Sequence, residues 1–121
     1  MAHVLVVDDS PTEIHVLRTM LEKNGYQVST AASGEEGIET AKDLQPDLVL
    51  MDIVMPGLNG FQATRKLSKD PNTANIPVII VSTKNQETDK LWGMRQGARD
   101  YLTKPVTELE LIGKIKSVLG S

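Results

Sequence analysis

The sequence predicts an α/β fold: a single doubly wound five-stranded parallel sheet flanked by five helices. Three observations lead there. Short runs rich in Val and Ile recur along the chain and read as strands buried on both faces. Helix-like segments alternate with them, many opening on hydroxyl caps, which calls for right-handed β-α-β crossovers. The 121 residues, 40% hydrophobic, suffice for one core, and no repeat or low-complexity linker divides them.

The first strand is His3 to Asp8, built on the apolar run Val4-Leu5-Val6-Val7. Ser10-Pro11-Thr12-Glu13 opens the first helix, with a hydroxyl cap, a proline at the first helical position and Glu three residues after the cap. Ile14, Leu17 and Leu21 share one face, and Asn24-Gly25 ends the helix because glycine accepts the left-handed cap conformation. Tyr26 to Ala31 is the second strand. Ser33-Gly34-Glu35-Glu36 repeats the capping pattern and starts the second helix, which runs to about Leu44, before Pro46.

The third strand spans Asp47 to Asp52, and the third helix starts near Asn59 and fades at Asp70-Pro71-Asn72. Ile76 to Ser82 is the fourth strand, with Pro77 tolerable only near its start. The fourth helix, Gln86 to Gln96, is the weak one. Leu91, Trp92 and Met94 stand among charged residues, and the internal Gly93 costs roughly 1 kcal/mol relative to Ala. Asp100 to Thr103 is the fifth strand. Thr107-Glu108-Leu109-Glu110 caps the fifth helix, whose apolar face is Leu111, Ile112, Ile115 and Leu119.

Composition narrows the function classes. With 13 Lys+Arg against 16 Asp+Glu, the net charge of −3 opposes nucleic-acid binding. Zero cysteines remove disulfides, thiolate nucleophiles and Cys-ligated metals. The N-terminal apolar run is far below the roughly 7–15 residues of a signal-peptide core. No apolar run approaches the roughly 18 residues of a membrane span, so a cytoplasmic chain without membrane insertion is expected. Aromatics at 3% leave little to sandwich a flavin or stack a base. Gly57-Leu58-Asn59-Gly60 lacks the lysine of a P-loop, and neither His3 nor His15 has a second histidine at ligand spacing. Trp92 reads as packing rather than as an interface anchor.

In an open parallel sheet, ligands bind outside the carboxyl ends of the strands. The residues there are Asp8, Asp9, Asp52, Ser82, Thr83 and Lys104. Taken singly, the carboxylates and hydroxyls among them read as caps of the next helix. If strands one and three are neighbours, however, three carboxylates converge and repel unless protonated or bridged by a cation. Oxygen ligands without Cys or His suit Mg2+. A carboxylate nucleophile, a metal, a lysine and a hydroxyl together make a phosphoryl-transfer site.

Val6-Val7-Asp8-Asp9-Ser10, Asp52-Ile53-Val54-Met55-Pro56-Gly57, Val81-Ser82 and Lys104-Pro105 resemble, in order and spacing, the motif set of response-regulator receiver domains, the CheY family. The resemblance covers the whole chain and implies the flavodoxin-like sheet order 2-1-3-4-5 of that family. The stretches Asp52 to Arg65, Gln86 to Lys90 and Gly97 to Lys104 also resemble PilH-type regulators of twitching motility, of the type IV pilus and chemotaxis-like systems.

The resemblance implies that Asp52 accepts a phosphoryl group from a sensor histidine kinase or its phosphotransfer domain. It implies that Asp8 and Asp9, with Asp52 and the backbone carbonyl of Val54, place Mg2+, and that Lys104 and Ser82 stabilise the transferred oxygens. It further implies a cis Lys104-Pro105 bond. Switching would carry Ser82 toward the phosphoryl group and turn Tyr101 inward, changing the face of helix four, strand five and helix five. Val54 and Lys84, two residues past Asp52 and Ser82, would flank the entering water.

The expected protein is a single receiver domain, residues 1–121, with no output domain because only Gly120-Ser121 follow helix five. It would be a monomer that signals to a downstream protein and catalyses only its own phosphorylation and dephosphorylation. An alternative with the same site is a phosphate sink for a shared kinase. Other classes are a flavodoxin-like electron carrier, a structural module with a dead site, and a small phosphatase using Asp8 as nucleophile. The phosphatase's Asp-x-Asp pattern is broken here by Ser10.

Overall fold

The computed structural model describes residues 1–120; Ser121 lies outside the described residues. Five strands and five helices alternate: β1 His3–Val7, α1 Pro11–Lys23, β2 Gln27–Ala31, α2 Gly34–Leu44, β3 Leu48–Met51, α3 Gly60–Lys69, β4 Val78–Ser82, α4 Glu87–Arg95, β5 Asp100–Thr103 and α5 Glu108–Leu119. All strand pairs are parallel, in the order β2-β1-β3-β4-β5. The expected elements are all present, with strand ends trimmed by one or two residues. Ile76 and Pro77 precede β4 because Pro77 has no N–H to donate, although its carbonyl still accepts from Val49 at 2.9 Å. Asp8 and Asp52 fall just past their strands, which frees their side chains for the sheet edge.

Alternation along the strands sorts the core into two layers. Val4, Val6, Leu48, Leu50, Ile79 and Val81 point one way and pack with Leu17 and Leu21 of α1 and Leu111 and Ile115 of α5. Leu5, Val7, Val49, Met51 and Val78 point the other way, onto Ala41 of α2 and Ala63 and Leu67 of α3. Both faces of the sheet are therefore dry, which is why its central strands read as unbroken apolar runs.

All three hydroxyl caps form, but only the one at α5 is returned by its Glu; at α2 Glu36 accepts from Ala32 N–H instead. Thr107 and Glu110 form the reciprocal capping box at α5, and Ser33 accepts from Glu36 N–H at 3.1 Å. At α1, Ser10 accepts from Glu13 N–H at 3.3 Å, but the return bond is missing because Ser10 N–H is already donated to Asp8. The Glu13 side chain is thereby released toward the site described below.

Two elements depart from simple packing. A Cβ on Gly60, at the start of α3, would collide with the backbone carbonyl oxygen of Asp52 and stand 2.7 Å from Ile53 Cα. The loop after β3 can lie so close to α3 only because that Cβ is absent. Gly60→Ala is expected to destabilise by ~2 kcal/mol or more, read as a lower denaturation midpoint; an unchanged midpoint would mean the loop yields freely. The other departure is α4, where Gly93 is the one buried residue. Trp92 is 51% exposed, with Leu91 at 55% and Met94 at 45%, so the expected packing of Trp92 is only half realised. A helix holding so little apolar surface against the sheet is a low-stability element.

Candidate functional site

Parallel register brings together acidic residues far apart in sequence. β1 lies beside β3, with Val7 opposite Met51, so the next residue of each, Asp8 and Asp52, leaves the sheet at the same level. The ladder continues one step further: Asp52 N–H donates to Val7 carbonyl at 2.9 Å, and Asp8 N–H to Ala31 carbonyl at 3.1 Å. One carboxylate oxygen from each of Asp8, Asp9 and Asp52 lies within 4.8 Å of the others. Asp8 is 2% exposed and Asp52 8%, while Asp9 faces solvent.

Lys104, directly after β5, reaches across to them. Its Nζ is 2.7 Å from Asp8 Oδ2, 3.6 Å from Asp52 Oδ1 and 3.8 Å from Glu13 Oε2. Burial works against its ammonium, but the hydrogen bond to Asp8 and the charges of Asp52, Asp8 and Glu13 outweigh that and raise its pKa. Asp52 shifts toward its neutral form. Burial, followed by the charge of Asp8, pushes its carboxyl up to about 6, against the pull of Lys104 and the Ile53 N–H; Asp9 adds a smaller push upward.

Three carboxylates facing one ammonium, two of them buried, leave negative charge uncompensated. The donors are all hard oxygens; His3 Nε2 is instead 2.7 Å from Ser29 Oγ, and His15 is exposed on α1. This donor set fits a hard divalent cation. The three acids are not equally available to it. Asp8 has both oxygens engaged, Oδ1 accepting from Ser10 N–H at 2.9 Å and Oδ2 from Lys104. Among the described residues, Asp9 makes no side-chain hydrogen bond.

Ser82 ends β4, fully buried, and its Oγ accepts from Lys84 N–H at 3.3 Å. Its carbonyl accepts from Lys104 N–H at 2.9 Å, tying the two strand ends together. The Lys104-Pro105 peptide is cis. Thr83, also at the strand end, is exposed. Val54 is 62% exposed. It lines an open cleft of about 350 Å³ with Ile53, Met55, Asn59, Phe61 and Lys84.

Tyr101 is half-buried, packed like Phe61 against the small cluster of Ile53, Ile80 and Ala98. Its hydroxyl donates to the Lys84 carbonyl at 2.5 Å. Burial, with the charge of Asp89, pushes this phenol up to about 12, while the Ser82 hydroxyl opposes the rise.

Some participants were not singled out by sequence reasoning. Glu13 registered only as a capping residue, and its approach to Lys104 depends on Asp8 having taken the Ser10 N–H. Asp89 accepts from Gln86 N–H at 3.2 Å at the start of α4 and lies 3.8 Å from Lys84 Nζ. An acid three residues after Gln86 was the available signal.

Comparison with known proteins places this geometry in context. The family model described as "Response regulator receiver domain" matches residues 4–116. The chain is 65% identical over 120 residues to Protein PilH of Pseudomonas aeruginosa, covering 99% of each. Among solved structures it resembles chemotaxis protein CheY4 of Vibrio cholerae, with a TM-score of 0.91, 30% identity and 98% of each chain covered. It also resembles the receiver domain of sensor histidine kinase PA1611 from Pseudomonas aeruginosa PAO1, with a TM-score of 0.91 and 31% identity over 99% of this chain and 98% of that one. That receiver domain has a magnesium ion coordinated in its active-site cleft. With the family model spanning nearly its whole length, this chain belongs to the response regulator receiver domain family.

Proposed function

We propose that this receiver domain is a stand-alone phosphorylation switch whose acceptor is Asp52. The observation that carries the reading is the meeting of Asp8, Asp9 and Asp52 with Lys104 at the carboxyl edge of the sheet. An ionised Asp52 needs no general base to attack phosphorus. In transfer from a phosphohistidine, the Asp52 carboxylate forms the new O–P bond as the N–P bond breaks, and the departing imidazole takes up a proton. Hydrolysis later returns inorganic phosphate and the free carboxylate.

Asp8 suits a supporting role, since Ser10 and Lys104 already engage both its oxygens. That argues against the alternative in which Asp8 is the nucleophile of a small phosphatase. Asp9 and Asp52, with Asp8 and the Val54 carbonyl, would hold Mg2+. The ion supplies charge neutralisation for the transferred oxygens. Lys104 would pair with one phosphoryl oxygen, and the buried Ser82 hydroxyl would donate to another. The cleft bordered by Val54 and Lys84, each two residues past a site residue, would admit donor and water.

The signal would pass from Ser82 to Tyr101 and thence to the face of α4, β5 and α5, where a protein partner discriminates the two forms. The donor is a sensor histidine kinase or its phosphotransfer domain. The setting is cytoplasmic control of twitching motility or a related chemotaxis-like system. Among the described residues no helix is long and apolar enough to cross a membrane.

Intact-mass spectrometry after incubation with acetyl phosphate tests the chemistry. Wild type should gain one phosphoryl group only with Mg2+, and hydroxylamine should remove it as it does an acyl phosphate. Asp52→Asn should gain none, whereas Asp8→Asn should still be labelled, more slowly. A label that survives in Asp52→Asn removes Asp52 from the acceptor role.

A further inference from the structure

A glycine inside an exposed helix lowers stability by roughly 1 kcal/mol relative to alanine, and nothing in the local sequence of α4 calls for one. The packing of Gly93 supplies the reason. It is the one buried residue of α4, and a methyl group on its Cα would stand 2.7 Å from Ile80 Cδ1 and 3.3 Å from Tyr101 Cδ2. Ile80 is fully buried in the small cluster of Ile53, Ala98, Phe61 and Tyr101, so its methyl end cannot retreat without disturbing that cluster. The Tyr101 ring is held in place by the hydrogen bond its hydroxyl donates to the Lys84 carbonyl. Bare helix backbone is thus the wall against which the ring rests.

We propose that Gly93 is a positioning residue for the switch: its missing side chain is what lets the Tyr101 ring seat against α4. The proposal rests on the reading of Asp52, Ser82 and Tyr101 given above. The seated ring touches two elements, α4 through Gly93 and the β4–α4 loop through Lys84, and so links the loop beside the phosphoryl site to the helix on the signalling face. A methyl group at 93 opposes the seated ring. On the reading above phosphorylation turns the ring inward, which makes the seated ring the phosphoryl-favoured one; coupling between sites is reciprocal, so whatever opposes that ring also weakens phosphoryl binding.

The test is calorimetric titration of the full chain with beryllofluoride and Mg2+, a non-covalent stand-in for the aspartyl phosphate. Gly93→Ala should weaken beryllofluoride binding by about five- to ten-fold, within the usual range for allosteric coupling. In a Tyr101→Ala background the same substitution should have no effect, since no ring remains to be displaced. Gly113→Ala on α5, where an added Cβ meets nothing within 4 Å, should leave affinity at the wild-type value. Trp92, next in sequence to Gly93, reports the α4 environment by its emission in the same samples.

Thermal melts confirm that each variant is folded. Should Gly93→Ala fail to fold, Gly93→Ala combined with Ile80→Val removes the closest contact, keeps the one with Tyr101, and is expected to show the same affinity loss. Unchanged affinity in a folded variant, or an undiminished loss in the Tyr101→Ala background, overturns the proposal. Wild type that binds no beryllofluoride overturns the phosphoryl-site reading itself, and this inference with it.

Discussion

Asp52→Asn should make the metal-free protein more stable at pH 7, by about 2 kcal/mol, while abolishing phosphorylation. The carboxyl's pKa rises from 3.8 to about 6 in the folded chain, chiefly through burial and the charge of Asp8. A shift of roughly two pKa units corresponds to about 3 kcal/mol of unfavourable interaction for the ionised form. The amide recovers most of that, less the imperfect pairing of its N–H groups. The native state binds more protons at Asp52 than the unfolded chain between those two pKa values, so this group's contribution is fully present below about pH 4 and is lost as pH rises through about 6. Other carboxylates titrate in the same range, which makes the informative quantity the difference between Asp52→Asn and wild type. Urea unfolding at pH 4, 5, 6 and 7 in chelator should show that difference growing with pH. Saturating Mg2+ should erase it, because a divalent cation relieves the repulsion that the amide removes. A difference independent of pH would show that Asp52 is not strained by its neighbours.

Such strain accompanies a site built for function, and it bears on what the sequence could reveal. The fold was legible because local signals agreed: the apolar runs of β1, β3 and β4 are dry on both faces, and Ser10, Ser33 and Thr107 each accept from the backbone N–H three residues on. The cluster of Asp8, Asp9, Asp52 and Lys104 was legible because residues after parallel strands must meet at one edge. What escaped depends on distances no spacing rule carries. Glu13 turns toward Lys104 only because Asp8 has taken the Ser10 N–H, a competition between two acceptors for one donor. Gly93 looked like a flaw in a weak helix, and its role appears only once Ile80 and the Tyr101 ring are seen against it. Trp92 at helical spacing near Leu91 suggested packing, yet α4 sits on its glycine and leaves all three of its large apolar side chains about half exposed.

Lys104→Ala should act in the opposite direction, lowering the stability of the metal-free protein by about 3 kcal/mol at pH 7, as breakage of a buried ion pair does. The Lys104 side chain is 9% exposed and bonds an Asp8 side chain that is 2% exposed, so its removal leaves Asp8 buried beside Asp9 and Asp52 with no cation. Lys104 thereby contributes to fold stability as well as standing where it can meet a transferred oxygen. The two roles separate experimentally through Mg2+. A divalent cation at the carboxylates replaces much of the missing positive charge, so the variant should gain more stability from Mg2+ than wild type does. It cannot replace the contact that Lys104 would make with a transferred phosphoryl oxygen. In saturating Mg2+ the variant should be folded and still labelled at Asp52 by acetyl phosphate, more slowly. The phosphorylation-dependent change in Trp92 emission on α4 should then be lost. A variant that stays unfolded in Mg2+ would make Lys104 a structural residue alone. A full emission change in a folded, labelled variant would show that the signal reaches α4 without it.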